Sequence, residues 1–417
     1  MSVTDLDTYA GRAQRLIEAA NRAAEAVPPA DRVRIGILTP LTEPGFPVAG
    51  ELMARGAVLG AEYVREFGLA GGKQFEFVLQ NDQADAAEEG MGRSAVGAMA
   101  KLAVFDKVAA VIGQWHLRTT PWAVEVAEKF GVPIFVENGH DAITAQQYRT
   151  VFRSYFSIAD RVPLMMDFVA AQGARRVAAI APDTVFGAML SDAVEAAGRA
   201  HGMEMLRLDY PQLTTKNFRP ELEKIAAFEP DWIVNLGVMA KPTAVDIMRE
   251  AAEMGLRPRI PMMVSFSFPN ASDAFWQAIG DAGEGLVWPA LEFRSTWPGL
   301  TQYGRWLIDR YRAEYGAFPP DPILNAFTDV TIVAQAVAHA GSAERDAILT
   351  ALEAKSFDTW RGPVAFERGA EHWHHSPPPV QLLQYQQVGQ TFEEAAIVHP
   401  PALKTADYQP PRSAAPR

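Results

Sequence analysis

The chain has 417 residues, roughly three times a common ~150-residue domain, so one small domain is excluded and two lobes are expected. It is 48% hydrophobic and 21% charged, and its 50 carboxylates against 38 cations leave a net charge of −12. That balance supplies a core and argues against nucleic acid or an anionic membrane as the main partner. There is no cysteine, which removes disulfides, thiolate metal sites and a cysteine nucleophile.

In chain order, residues 5–26 read as an amphipathic helix packed on the body, with Leu16 and Ile17 on its apolar stripe. Arg12, Arg15, Glu18, Arg22 and Glu25 leave it without the apolar centre of a signal peptide. No run approaches the ~18–20 apolar residues of a membrane span. From residue 33 the pattern turns to strand, loop and helix in repetition. Strands are expected at 33–38, 75–79, 108–112 and 132–136, with helices at 50–67, from the end of the second strand to about 102, and at 121–130. The alternation restarts after 151–153. Strands at 177–180, 203–208, 232–235 and 261–264 follow helices at 162–171, 187–200, 217–228 and 242–254. Short apolar strands separated by helices of ten or more residues mean parallel sheets covered on both faces, and two such series mean two doubly wound lobes. Helices at 301–315 and 323–339 and short strands at 364–366 and 381–385 come next. The Pro- and Ala-rich tail from Pro400 is expected to be extended or disordered.

The usual catalytic patterns are missing: no G-x-S-x-G, Walker A loop, G-x-G-x-x-G or H-E-x-x-H. Gly71-Gly72-Lys73 reads as a plain turn. Glu371-His372-Trp373-His374-His375 has metal-ligand chemistry, but the Pro377-Pro378-Pro379 run beside it marks a solvated loop. The informative residues follow strand ends, where doubly wound sheets bind ligands. They are Phe46 after the first strand; Trp115, His116 and Arg118 after 108–112; Asn138, Gly139 and His140 after 132–136; Tyr155 beyond 151–153; Phe186 after 177–180; and Val238, Met239, Phe266 and Phe268 after the later strands. Aromatic walls, two imidazoles and a cation suit a ligand with an apolar or aromatic body and a carboxylate or carbonyl end. The backbone N–H groups at the helix start near Thr119 and Thr120 are expected to meet that polar end, with Arg118, His116 and His140 beside them. No cofactor and no metal are expected.

Several segments, in order and spacing, carry a family resemblance. They are 33–40 with 50–61, Ala110-Val111-Ile112-Gly113, Val132-Pro133-Ile134, Val151-Phe152-Arg153-Ser154, Asp183-Thr184-Val185-Phe186-Gly187, Thr215-Lys216-Asn217-Phe218, 283–285 and Arg361-Gly362-Pro363-Val364. Over about 32–385 the chain resembles the leucine/isoleucine/valine-binding family of type I periplasmic solute-binding proteins. The resemblance implies two α/β lobes, each a doubly wound parallel sheet, joined by three crossings and closing on a small ligand. It also implies delivery to an ABC transporter permease, and no catalysis. The expected division is a helical extension at 1–30, an N-lobe of 31–153 and 293–356, a C-lobe of 154–292 and 357–395, and a tail at 396–417. One departure stands out. Where amino-acid binders of the family place small hydroxyl residues for the ligand carboxylate, this chain has Trp115, His116, Leu117 and Arg118. The acid that would hold the ligand ammonium falls near 265–267, which reads Ser265-Phe266-Ser267. An unpaired buried ammonium costs several kcal/mol, so a zwitterionic amino acid is not the expected ligand.

Two functions follow. The first is the solute-binding protein of an ABC importer, a monomer in the periplasm or another extracytoplasmic space, with its export signal outside this chain. The second is a cytoplasmic ligand-sensing regulator of the same fold, similar to the amide-responsive regulators of amidase operons.

Overall fold

Buried strands alternate with one-sided helices in two separate units of the computed structural model, which describes residues 8–43, 45–82, 88–212, 214–237, 243–265, 268–291, 293–369 and 373–411. One unit comprises Met1–Ser157 with Ser295–Pro378, the other Ile158–Arg294 with Pro379–Arg417, so the chain passes between them three times.

The first unit begins with α1 (Tyr9–Ala24) and β1 (Arg32–Thr39), followed by α2 (Pro47–Phe67), β2 (Gln74–Asn81), α3 (Glu88–Ala100), β3 (Ala110–Gln114), α4 (Thr120–Phe130), β4 (Ile134–Val136), α5 (Asp141–Ala145) and β5 (Val151–Phe152). The five strands form one parallel sheet in the order β2-β1-β3-β4-β5. Ile35 and Ile37 face a core that includes Met53, Ala57, Val330 and Val333, while Leu38 and Val111 face Met99, Leu102 and Val124. Burial on both faces is why β1 reads as a nearly continuous apolar run. Glycines let α2 press against a later helix: a Cβ on Gly56 would stand 2.5 Å from the Ile323 carbonyl oxygen.

The expected N-terminal helix is α1, whose Thr8 hydroxyl caps it by accepting from Gly11 N–H at 3.0 Å. It docks on the body through Arg12, which donates to Glu51 at 2.9 Å. Asn21 holds the edge strand β2 as a further strand would, donating to Phe77 O at 2.9 Å and accepting from Phe77 N–H at 2.8 Å. That occupies part of an edge otherwise open to pairing.

The second unit contains α6 (Ile158–Ala171), β6 (Arg176–Pro182), α7 (Val185–Ala200), β7 (Glu204–Tyr210), α8 (Arg219–Phe228), β8 (Trp232–Asn235), α9 (Thr243–Glu253), β9 (Met262–Val264), α10 (Ser272–Ile279) and β10 (Val287–Leu291). The chain then returns to the first unit with α11 (Gln302–Tyr315), α12 (Asp321–Ala340), α13 (Arg345–Ala354) and the hairpin β11 (Ser356–Thr359) with β12 (Gly362–Ala365), and ends in the second unit with β13 (Val380–Gln384) and β14 (Ala396–His399). The second sheet has the order β14-β13-β10-β9-β8-β6-β7. Its strands from β7 to β10 are parallel, and β13 and β14 are antiparallel additions.

Four expectations change. Residues 357–378, expected in the C-lobe, belong to the first unit, because Phe357, Val364 and Phe366 join its core. Residues 396–411 are not a loose tail: β14 pairs with β13, and Gln409 N–H donates to Gln384 Oε1 at 3.0 Å. Nor is the histidine segment a solvated loop. His374 and His375 are 0% and 3% exposed; His374 stacks on Phe152 at 4.3 Å, and His375 Nδ1 accepts from the Arg153 Nε–H at 3.0 Å. Among the described residues no three histidines or acids gather as metal ligands, and Glu371 and His372 lie outside them. Finally, α12 is long and apolar enough to cross a bilayer, although the sequence showed no uninterrupted apolar run. Its residues from Ile323 to Val337 are almost all buried in the first unit, making it a core helix.

Candidate functional site

In each sheet the strand order reverses once. β1 has β2 on one side and β3 on the other, and β6 has β7 on one side and β8 on the other. Loops leaving the carboxyl ends of strands at such a reversal form the ligand crevice of doubly wound sheets.

In the first unit the β1 loop delivers Phe46, which ends it just before α2, and the β3 loop delivers Trp115; their ring centroids are 5.6 Å apart. A Cβ on Gly50 would lie 1.9 Å from Pro40 O, so only glycine lets α2 start this close to the loop. Both rings are partly exposed, and Trp115 rests on the core of the unit. His116 Nδ1 accepts from Arg118 N–H at 3.3 Å, and His140 Nδ1 accepts from Ala142 N–H at 3.2 Å, capping α5. A neutral imidazole that accepts at Nδ1 carries its proton on Nε2 and offers a donor there. Both rings stay neutral near pH 7. Burial, with Arg118 adding to it, pushes His116 down to about 4, and burial lowers His140.

Beneath this loop lies a buried polar network that the sequence reading did not single out. Asp82, just past β2, accepts at Oδ2 from the Thr119 hydroxyl at 2.6 Å and from Gln114 Nε2 at 3.0 Å. Gln114 Nε2 also reaches Thr119 Oγ1 at 2.9 Å, and Asn138 Nδ2 donates to Thr120 Oγ1 at 2.7 Å. Asp82, Gln114, Thr119 and Thr120 are all 0% exposed. The Thr119 and Thr120 N–H groups both donate to His116 O, at 3.2 and 3.0 Å, and Pro121 has no N–H. The donors assigned above to a ligand at this helix start are therefore turned inward. The only signal in the sequence was polarity at strand ends, Asp82 and Gln114 following apolar runs.

The Asn138–His140 loop is held by Arg153. This 1%-exposed guanidinium donates to His140 O at 3.0 Å, Thr144 Oγ1 at 3.1 Å and His375 Nδ1 at 3.0 Å. Next to it, Glu137 meets Asp329 of α12 in a carboxyl–carboxyl contact, and the Ser154 hydroxyl donates to Asp329 Oδ1 at 3.0 Å. Burial and the mutual repulsion of the pair raise Glu137 far above the carboxylate range, so the pair holds a proton. Tyr155, half-buried, packs on Phe156 with ring centroids 4.1 Å apart and the rings tilted by 34°.

In the second unit Phe186 stands in the first turn of α7, partly exposed and packed on the core. Thr184 caps that helix by accepting from Gly187 N–H at 3.0 Å, and a Cβ on Gly187 would lie 2.0 Å from Pro182 O. The guanidinium of Arg161 lies 5.7 Å from the Phe186 ring centroid and donates to Ser265 O, at the end of β9, at 2.8 Å. Arg161 is 4% exposed. It was also missed, though it shares the stripe of Ile158, Val162 and Met165 on α6, where an apolar residue is expected. Asn235 Oδ1 accepts from Gly237 N–H at 3.0 Å, shaping the β8 loop. Val238, Met239 and Phe266 lie outside the described residues, as does the Phe268 side chain. Phe268 opens a short 3₁₀ turn, Phe268–Asn270, rather than continuing the strand end.

The periplasmic binding protein family model matches residues 32–390, and the chain belongs to that family. The family is one of substrate-binding proteins, not enzymes. A leucine-, isoleucine-, valine-, threonine- and alanine-binding protein of Pseudomonas aeruginosa is 24% identical over 349 residues, 81% of this chain and 86% of that protein. Among solved structures, an ABC transporter substrate-binding protein from Sphaerobacter thermophilus superposes with a TM-score of 0.75 at 21% identity, covering 91% of this chain and 99% of that one. A solute-binding protein from R. palustris in complex with benzoate gives 0.71 at 20% identity, covering 90% and 98%. The fold is thus the expected one.

Proposed function

We propose that the chain is the solute-binding protein of an ABC importer, acting outside the cytoplasm and handing a small organic ligand to a transporter permease. The ligand has an apolar or aromatic body and a carboxylate or carbonyl end, and its capture is accompanied by hinge closure of the two units. In the first unit the proposed contacts are Phe46, Trp115, His116, Arg118, Asn138, Gly139, His140 and Tyr155; in the second they are Phe186, Val238, Met239, Phe266 and Phe268.

The observation that carries this reading is Arg161. The backbone at Ser265, where an amino-acid binder of this kind would present an acid to the ligand ammonium, instead receives a buried guanidinium at 2.8 Å. A cation there opposes an ammonium, while the aromatic rings supply area for an apolar body. The benzoate held by the R. palustris protein is a ligand of this class. A thermal-shift screen of carboxylates, amides and amino acids tests the proposal. A true ligand at 100 Kd stabilises by ~2.7 kcal/mol, so aromatic carboxylates or amides should raise the midpoint and leucine should not. A shift with branched-chain amino acids alone would refute it.

A further inference from the structure

The start of α4 already holds an anion of the protein's own. Asp82 comes from the end of β2, yet its Oδ2 takes the Thr119 hydroxyl at 2.6 Å and the Gln114 amide at 3.0 Å. These two residues bracket the loop that carries Trp115, His116 and Arg118. One carboxyl group thus holds both ends of the proposed ligand loop. Its other oxygen, Oδ1, is buried with no hydrogen-bond partner, as is Gln114 Oε1. The positive end of a helix favours one negative charge in its first turn, and the benefit fades within that turn. A ligand carboxylate placed on this loop would sit against a second, fully buried anion. We infer that Asp82 is a proton-linked anion gate of the ligand loop, admitting a neutral carbonyl freely and a carboxylate only when Asp82 takes up a proton.

The surrounding groups fit this role. Burial pushes the Asp82 carboxyl up to about 6, opposed by its bonds from Thr119, Gln114 and its own backbone. Among the described residues no charged group contributes to that position. On the facing loop His116 is neutral above about 4, and Arg118 is partly exposed. Just past β4, Glu137 is engaged with Asp329. Around neutral pH both Asp82 and the Glu137–Asp329 pair change protonation, and of these Asp82 is the one bonded to both ends of the loop. The inference rests on the proposed ligand site and adds its selectivity: amide or carbonyl over carboxylate at neutral pH and above.

Benzoate and benzamide share one body and differ in charge, so their affinities measured by calorimetry between pH 5.5 and 8 form the test. Benzoate should weaken by up to about tenfold per pH unit above the Asp82 midpoint, because binding then requires one proton. Benzamide should be unaffected. In Asp82→Asn the benzoate slope should vanish. In Thr119→Val, which removes a donor to the carboxylate, the break should move to higher pH. A benzoate affinity independent of pH in the wild type, or a slope that survives Asp82→Asn, overturns the inference; so does pH-independent binding that collapses in Arg161→Ala, which would put the carboxylate in the second unit. If neither probe binds, the ligand class is wrong. The gate is then read from the Trp115 emission, taken as wild type minus Trp115→Phe. A transition near pH 6 that is absent in Asp82→Asn supports it, and no transition overturns it.

Discussion

Replacing Arg153 by Met probes what holds the Asn138–His140 loop in place. The guanidinium is 1% exposed and donates to His375 Nδ1, His140 O and Thr144 Oγ1 at 3.0–3.1 Å, with Asp141 at 3.9 Å. Methionine fills much of the stem volume but offers no donor. Three acceptors, two of them on buried residues, then lose their partner, at about 1–3 kcal/mol each. Relief of the buried charge offsets part of this, leaving a net loss of about 3–5 kcal/mol, the range found when one member of a buried ionic cluster is removed. For a unit the size of the first one, each kcal/mol moves the midpoint by about 2–4 °C. Differential scanning calorimetry should therefore show the first-unit transition lowered by about 6–20 °C while the second-unit transition stays in place. Hydrogen exchange should quicken at the amides of α5. A shift below about 2 °C would mean that these bonds add nothing net to the fold and that the loop is held by packing alone.

Two further outcomes follow from buried groups. Glu137 and Asp329 have their protonation raised in the folded state by burial and by each other, so the stability they confer is fully present below the ordinary carboxylate value of ~4 and is lost as pH rises through their folded values. Asp329→Asn removes the like-charge repulsion, and its urea midpoint should fall less between pH 5 and pH 8 than that of the wild type; an equal fall would show that the pair does not share a proton. Gly187→Ala forces a Cβ to within 2.0 Å of Pro182 O, and overpacking of this kind costs about 1–3 kcal/mol. The second-unit transition should drop and the first should not, whereas an unchanged midpoint would mean that the α7 start can shift freely.

The alternation of apolar runs and helices was enough to read the parallel part of both sheets, because strands such as β1 and β6 are buried on both faces over the runs 35–38 and 177–181, with their arginines confined to the strand starts. The chain's third passage was misread. β11 and β12 form a small hairpin whose few apolar residues, Phe357, Val364 and Phe366, carry no hint of which core receives them. The histidine segment misled for a related reason: three prolines mark a loop, but pairing between Arg153 and His375 is a long-range event that spacing cannot show. At the site, aromatic and imidazole residues after strand ends were legible. Asp82 and Arg161 were not, since each is a charged residue whose burial is set by elements distant in sequence. In the proposed site their sign matters: an anion beneath one loop and a cation beside another would reverse what an amino-acid ligand needs.

Titration calorimetry of the purified protein with leucine and with benzamide at pH 7 tests that reversal most directly. Benzamide or a close relative should bind saturably at micromolar affinity, and leucine more weakly than millimolar, because Arg161, which donates to Ser265 O, opposes its ammonium. Micromolar leucine binding that is retained in Arg161→Ala would contradict it.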